Sequence, residues 1–122
     1  MNEESKDFSN ELFKAYRLQN FLIVEPHIRL DLSFADNFYN QLIEHLTSEP
    51  SNVIIDMKYV PYVSSSGIKM FLKMKRYLDA RGYQFGVCNL SKEVYKILHI
   101  SELQNLIPIF QDLNEAMEYL NR

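Results

Sequence analysis

The sequence has few of the residues on which metal, disulfide and nucleotide sites are commonly built. Its single cysteine, Cys88, rules out an internal disulfide and a cluster of thiolate ligands, and it suits a reducing compartment. Three glycines supply neither a Walker loop nor a GxGxxG motif. The three histidines, His27, His45 and His99, share no ligand spacing. We therefore expect neither a bound metal nor a cofactor.

An excess of basic charge and long apolar runs are also lacking. The net charge of −3 over 122 residues gives no basic footprint, so we expect no nucleic-acid partner. No apolar run approaches the ~20 residues of a membrane span. The start of the chain, MNEESKDFSN, is acidic and polar, unlike a signal peptide. We expect a cytoplasmic protein, with a mobile segment over residues 1–10 and one domain over residues 11–122.

A catalytic arrangement is missing as well. Ser66-Gly67 resembles part of a nucleophile elbow, but the GxSxG motif needs a glycine two residues before the serine, and Ser64 stands there. The acidic residues are numerous but dispersed, which is typical of solvated surfaces. We expect that the protein is not an enzyme, and we keep a small serine-dependent enzyme only as a minor alternative.

Apolar periodicity predicts the first half of the fold. Two extended runs, LFKAYRLQ and FLIVEPHIRLDL, flank Gln19-Asn20 and predict a hairpin, with Pro26 near a sheet edge or a bulge. Ser33 and Asp36 predict the start of a helix through a capping box. The buried face of that helix is expected to contain Phe34, Phe38, Leu42, Ile43 and Leu46.

The second half continues to alternate strands and helices. Val53–Ile55 form a continuous apolar run, which is typical of a strand covered on both faces. The helix that follows is expected to end at Gly82. Ser91 should cap a short helix, and Asp112 with Glu115 should cap the closing helix. The pattern predicts a single α/β domain whose mixed sheet of four to five strands packs against about four helices.

A cluster of serines lies within the stretch Asn52–Leu72, between the central strand and the next helix. Hydroxyls at the start of a helix face the positive end of its dipole and N–H groups without helical partners, which suits a phosphate. One interpretation makes one of Ser64, Ser65 and Ser66 the N-cap and the others loop residues. The other makes one of them a phosphorylated switch, with Lys69 one turn inside the helix to receive the phosphate.

A basic stripe follows on the same helix. Lys69, Lys73 and Arg76 recur at steps of four and three residues, so they share one helical face. We expect these three side chains to contact an acidic surface on a partner protein.

The stretch IIDMKYVPYVSSSGIKMFLKMKRYL resembles the signature of the STAS domain family, best known from bacterial anti-sigma factor antagonists. In that family an apolar strand and a short apolar run precede a D-S-S/T-G-L segment at the start of a helix. Arg29-Leu30-Asp31 stands where the family usually carries Gly-Glu-Leu-Asp. The run ILHISELQNLIPIF resembles the family's F-x-x-S-G-L-x-x-x-I-x-x-F segment. The resemblance extends from about Leu12 to Leu120.

Two positions differ from the family pattern. Ser64 replaces an aspartate in the loop before the helix, which removes one negative charge. Glu102 replaces the glycine of the later segment, which predicts a different local turn there.

The resemblance implies a phosphorylation-controlled partner switch with Ser65, two residues before Gly67, as the modified residue. The implied partners are an anti-sigma factor that is itself a serine kinase and binds the ATP, and a PP2C-type phosphatase that reverses the modification. Without phosphate, the domain would bind the kinase and release the sigma factor. The expected partner-binding residues are Asp31, Ser64, Ser66, Gly67, Lys69, Lys73 and Arg76.

The alternative is a constitutive STAS adaptor or scaffold subunit of a transporter or signalling complex. In that case Ser65 would be only a helix cap and would carry no phosphate. Under both interpretations we expect a monomer.

Overall fold

One mixed β-sheet runs through the chain in the computed structural model, which describes residues 5–9, 12–27, 32–100, 102 and 105–121. Its six strands lie side by side in chain order. They are β1 Ser5–Ser9, β2 Phe13–Leu18, β3 Phe21–Pro26, β4 Asn52–Asp56, β5 Phe85–Cys88 and β6 Ile109–Phe110. In the same residues the helices are α1 Leu32–Ser48, α2 Ser65–Ala80, α3 Lys92–Ile100 and α4 Leu113–Leu120.

The direction of the strands changes once across the sheet. β1, β2 and β3 pair antiparallel, whereas β3, β4, β5 and β6 pair parallel. Parallel neighbours need a crossover connection, and α1, α2 and α3 lie in the three crossovers. The four parallel strands therefore end at the same edge of the sheet, which we call the carboxyl edge. The predicted α/β class with a mixed sheet and helices is confirmed.

Strand β1 is a correction to the sequence analysis, which assigned no regular structure ahead of residue 11. Ser5–Ser9 pairs with β2 through an irregular register that shifts between Lys6 and Phe8. It raises the strand count from the expected four to five to six. A polar edge strand has no alternating apolar pattern, so periodicity could not reveal it.

Helices cover both faces of the sheet and create two buried clusters. On the first face, α1, α2 and α3 pack against Leu22, Val24, Val53 and Ile55. On the second face, α4 packs with side chains that include Phe21, Ile23 and Ile54. Successive residues of a strand point to opposite faces, so the middle residues of β4, Val53–Ile55, are all apolar because both faces of the strand are covered. The predicted burial of Val53–Ile55 on both faces is confirmed.

Two expectations for α1 are wrong in detail. The helix begins at Leu32, so Ser33 lies inside it instead of preceding it. Phe34 is 39% exposed, and Ala35 is the residue of that turn that enters the core beside Phe38. The ring of Phe38 packs edge-on against Phe13 at 5.0 Å, which fixes the rotation of the helix on the sheet.

Pro26 lies at the end of an interior strand, and not at a sheet edge or a bulge as predicted. It pairs in register with Phe13, and the next residue, His27, donates its N–H to the carbonyl of Leu12 at 2.9 Å. The parallel pairing of β3 with β4 stops at Val24. The proline therefore removes no ladder hydrogen bond, which explains why it is tolerated there.

Candidate functional site

The serine cluster lies at the start of α2, on the carboxyl edge of the sheet. Ser64 is the N-cap residue, with an extended backbone (φ −81°, ψ 175°), and its carbonyl accepts the N–H of Ile68 at 3.1 Å. Its side chain makes no capping hydrogen bond. The backbone cap position predicted for one of the serines is therefore filled by Ser64, and the cap role that the adaptor interpretation gave to Ser65 is wrong. Ser65 is the first helical residue.

Exposure separates the members of the cluster. Ser65 is exposed, Ser64 and Ser66 are half-buried, and Gly67 is buried. The first residues of a helix carry N–H groups without intrahelical acceptors and the positive end of the dipole. Ser65 thus combines an accessible hydroxyl with an environment that favours negative charge.

The basic stripe is divided in the structure. Lys69 is exposed and lies one turn, about 6 Å along the axis, from Ser65. Lys73 extends over the ring of Tyr39 on α1, with its ammonium 4.2 Å from the ring centroid. Arg76 is exposed but lies about 16 Å along the axis from Ser65, at a groove formed with Leu106 and other residues near β6. Lys69 is therefore the stripe residue that shares the site with Ser65.

Two further residues bear on the site, one that was expected there and one that was not. Asp31 lies outside the described residues. Tyr39, which the sequence analysis did not single out, limits the freedom of Lys73 through a cation–π contact. Burial raises the pKa of Tyr39, as does neighbouring Tyr77, whereas Arg81 acts in the opposite direction. No local pattern joins α1 to α2, so this contact could not be predicted from the sequence.

The loop of residues 57–64, which connects β4 to α2, carries exposed aromatic side chains. Tyr59 and Tyr62 are 56% and 46% exposed, whereas Val60 and Val63 are buried. The valines anchor the loop to the core of the first face. The run YVPYV therefore places its tyrosines outward on the loop that leads to Ser65. Exposed tyrosines are common in protein interfaces. The recurrence of tyrosine and valine in this run is the feature of the sequence from which these tyrosines could have been identified.

A buried acidic pair lies beneath the same loop. Glu25 at the end of β3 and Asp56 at the end of β4 are 3% and 1% exposed. The ammonium of Lys58 lies 3.4 Å from Glu25 and 3.7 Å from Asp56, and the hydroxyl of Tyr16 donates to Glu25 at 3.4 Å. Burial alone would lower the pKa of Lys58, but the two carboxylates outweigh it and raise the pKa.

The turn after β5 completes this arrangement. Asn89, in the left-handed region with φ 57°, donates its side-chain N–H to Asp56 at 2.9 Å. The backbone N–H of Met57 donates to the carbonyl of Cys88 at 2.9 Å. Burial and the nearby carboxylates, Asp56 first among them, raise the pKa of the Cys88 thiol far above its ordinary value. Cys88 therefore stays a neutral thiol and not a nucleophile.

Ser91 links α3 to the loop of residues 57–64. Its hydroxyl oxygen accepts the N–H of Val94 at 3.2 Å, which confirms the predicted cap of the short helix. The same hydroxyl donates to the carbonyl of Pro61 at 3.0 Å. The second bond joins residues 30 positions apart and was not predicted.

Neither a metal cluster nor a membrane span is found in the part of the chain that the structure describes. No group of three or more His, Cys, Asp or Glu side chains there could hold a metal ion. None of the helices there is long and apolar enough to cross a bilayer.

Comparison with known proteins points to one family. The family profile described as the STAS domain matches residues 13–116. The anti-sigma F factor antagonist of Paenibacillus polymyxa is 24% identical over 100 residues, which cover 81% of this chain and 86% of that relative.

Solved structures share the fold at low identity. The Thermotoga maritima protein TM1081 has a TM-score of 0.86 at 18% identity, over 92% of this chain and 97% of that one. The anti-sigma factor antagonist SpoIIAA, in its unphosphorylated form, has a TM-score of 0.72 at 17% identity, over 89% and 96% of the two chains. A murine anion transporter, solute carrier 26 family member A9, has a TM-score of 0.74 at 19% identity over 86% of this chain but 18% of the transporter. At such identities these likenesses establish the fold.

Proposed function

We propose, from the premise that this chain belongs to the STAS domain family, that it is an anti-sigma factor antagonist controlled by phosphorylation of Ser65. The observation that carries the proposal is the position of Ser65 as an exposed hydroxyl in the first turn of α2, with Lys69 one turn further on. The similarity to an anti-sigma F factor antagonist supports the same assignment.

The unphosphorylated domain binds an anti-sigma factor that is a serine kinase, and this binding releases the sigma factor. The kinase then transfers phosphate from its own bound ATP. The Ser65 oxygen attacks the γ-phosphorus, the bond between that phosphorus and the bridging oxygen breaks, and ADP leaves. The hydroxyl proton passes to a base of the kinase. A PP2C-type phosphatase hydrolyses the phosphoserine and restores the binding form.

The site tolerates the phosphate in the free protein. Phosphorylation adds a charge of about −1.5 to −2 at a helix N-terminus, where the dipole and the ammonium of Lys69 both favour it. In a complex the same charge would lie against a partner surface that is complementary to the uncharged hydroxyl. Repulsion and desolvation then oppose binding, so the modification works as a release signal.

The wider proposal describes a binding module that is a substrate and not an enzyme. We place it in the cytoplasm, as a monomer, with the loop tyrosines and Lys69 in the partner surface. Ser64, Ser66 and Gly67 frame the modified serine, whereas Lys73 and Arg76 lie at the periphery of that surface.

The test compares charge variants of Ser65 in affinity capture from the organism's own cells. Ser65→Ala should retain an ATP-binding serine kinase, and Ser65→Asp should reduce its recovery at least about tenfold because it mimics the added charge. Asn114→Asp is the matched control, since it places the same charge on an exposed residue in the first turn of α4. Equal recovery of the kinase with both Ser65 variants would contradict the switch.

A second candidate function is a constitutive adaptor within a larger complex. The observation that favours it is the likeness to one part of an anion transporter. An adaptor would carry no phosphate on Ser65, and Ser65→Asp would then bind the complex as well as the wild type does.

A further inference from the structure

The hydroxyl of Ser91 makes two hydrogen bonds, one as an acceptor through its oxygen and one as a donor through its hydrogen. As an acceptor it caps α3 through the N–H of Val94, and as a donor it binds the carbonyl of Pro61. The capping role alone needs only an acceptor, which a carboxylate would supply equally well. The bond to Pro61 is therefore a separate function, and it requires a hydrogen on the side chain.

Pro61 occupies the middle of the loop that precedes Ser65. Its ring fixes φ and removes the backbone N–H, so its carbonyl is the backbone group by which this position can be tied. It is exposed, between the buried anchors Val60 and Val63 and only four residues before Ser65. A bond at this carbonyl limits the motion of the loop segment that leads directly into α2.

The beginning of the same loop is held by the same turn. The N–H of Met57 donates to Cys88, and the side chain of Asn89 donates to Asp56. The turn of residues 88–91 thus contacts both the start and the middle of the loop, and Ser91 provides the contact nearer to Ser65.

We propose that Ser91 is a positioning residue for Ser65: by holding the carbonyl of Pro61 it fixes the loop that presents Ser65 to a kinase. The presentation of Ser65 to a kinase rests on the proposed function, whereas the restraint of the loop by Ser91 does not. Phosphoryl transfer depends on holding the acceptor hydroxyl in line with the transferred group. A loose loop would make that geometry rarer without changing any residue that touches the kinase-bound ATP.

Substitutions at Ser91 can separate the two tasks. Ser91→Asp keeps an acceptor for the cap and adds favourable charge at the start of α3, but it places a second acceptor against the Pro61 carbonyl. Ser91→Thr keeps both the acceptor and the donor. Ser91→Ala loses both.

The first readout is amide hydrogen exchange of the full-length protein. In Ser91→Asp, amides of residues 59–66 should exchange about five- to tenfold faster, as expected for the loss of one hydrogen bond, while those of α3 should not. Ser91→Thr should exchange like the wild type in both segments, and Ser91→Ala should be faster in both. Unchanged loop exchange in Ser91→Asp overturns the inference, whether or not Ser65 is phosphorylated.

The second readout is the phosphate occupancy of Ser65 when the same variants replace the wild type in the organism's own cells. Occupancy should fall severalfold in Ser91→Asp and return in Ser91→Thr. Faster loop exchange with unchanged occupancy overturns the positioning role. A wild-type protein without phosphate overturns the proposed function and this role with it, while the exchange result still decides whether Ser91 holds the loop.

Discussion

Glu102 has a backbone conformation that residues with a side chain rarely adopt. Its φ of 62° lies in the left-handed region, which favours glycine. The family pattern has a glycine at this position, and the different turn expected for glutamate stays a prediction. The glutamate bears the steric cost of its Cβ in this conformation.

That cost predicts a stability difference at residue 102. Glu102→Gly should be about 1 kcal/mol more stable than Glu102→Ala. A left-handed backbone has a steric cost for alanine but not for glycine. This cost is larger than the additional conformational entropy that glycine loses on folding. Urea denaturation of both variants measures the difference. Equal stability of the glycine and alanine variants would show that the backbone leaves the left-handed region in solution.

Lys58 gives a second prediction at the residue scale. Lys58→Met should destabilise the fold by about 1–3 kcal/mol, because it leaves Glu25 and Asp56 buried without the ammonium, although 43% exposure of the lysine admits water to the site. Urea denaturation of the variant and of the wild type measures the loss.

The two carboxylates raise the pKa of Lys58 in the folded state, so its contribution to stability is present below the ordinary lysine value of 10.5 and is lost as the pH rises through the folded-state pKa. The loss from Lys58→Met should therefore be fully present at neutral pH. Lys96→Met on the exposed side of α3 is the control and should change stability little. A loss from Lys58→Met no larger than that from Lys96→Met would contradict the account of the buried pair.

At the scale of elements, α4 approaches the sheet closely at one glycine. A Cβ built on Gly86 would lie 3.0 Å from Leu120 and 3.0 Å from Phe110. The capping box that begins this helix is confirmed, since Asp112 accepts the N–H of Glu115 at 2.8 Å. In return Glu115 accepts the N–H of Gln111 at 2.8 Å. The helix is thus fixed at its start by polar bonds and at its end by packing on the glycine.

Gly86→Ala should destabilise the protein by about 1–2 kcal/mol, because Leu120 and Phe110 must move to admit the methyl group. The effect should be local to the second face. Amide exchange should become faster in α4 and stay unchanged in α1, which packs on the opposite face. Equal changes in both helices would show that the glycine supports the whole fold and not the docking of α4.

The end of α2 illustrates an element whose boundary the sequence predicted well. Gly82, expected to terminate the helix, has φ 80° and donates its N–H to Asp79 at 3.2 Å. Tyr83 donates to Leu78 at 2.9 Å, which completes a Schellman motif. Such local signals depend on a few neighbouring residues, as does the cap at Ser91, so one sequence is enough to find them. The Lys73–Tyr39 contact and the Lys58 ion pairs join distant elements, and no local pattern encodes them.

At the scale of the whole molecule, both edges of the sheet are poorly suited to adding another strand. β6 contains only Ile109–Phe110, and Glu115 already binds the next backbone N–H. β1 is interrupted by a register shift between Lys6 and Phe8. Such features protect natural proteins from association at sheet edges.

The protein should therefore sediment as a monomer across a wide range of concentrations. Analytical ultracentrifugation of the wild type checks this directly, and Glu115→Gln serves as the comparison because it weakens the bond that occupies the edge N–H. A dimer of the wild type would contradict the argument from the edges. It would also shift the search for the partner surface away from the loop beside Ser65.

The most direct test of the central claim is peptide-mapping mass spectrometry of the protein from its own cells under two growth conditions. Cleavage after Lys58 and Lys69 yields one peptide, Tyr59–Lys69, that contains all three adjacent serines, and fragmentation assigns the phosphate among them. The account predicts phosphate on Ser65 with an occupancy that changes with the condition. An unmodified peptide in every condition, or a phosphate confined to Ser64 or Ser66, would contradict it.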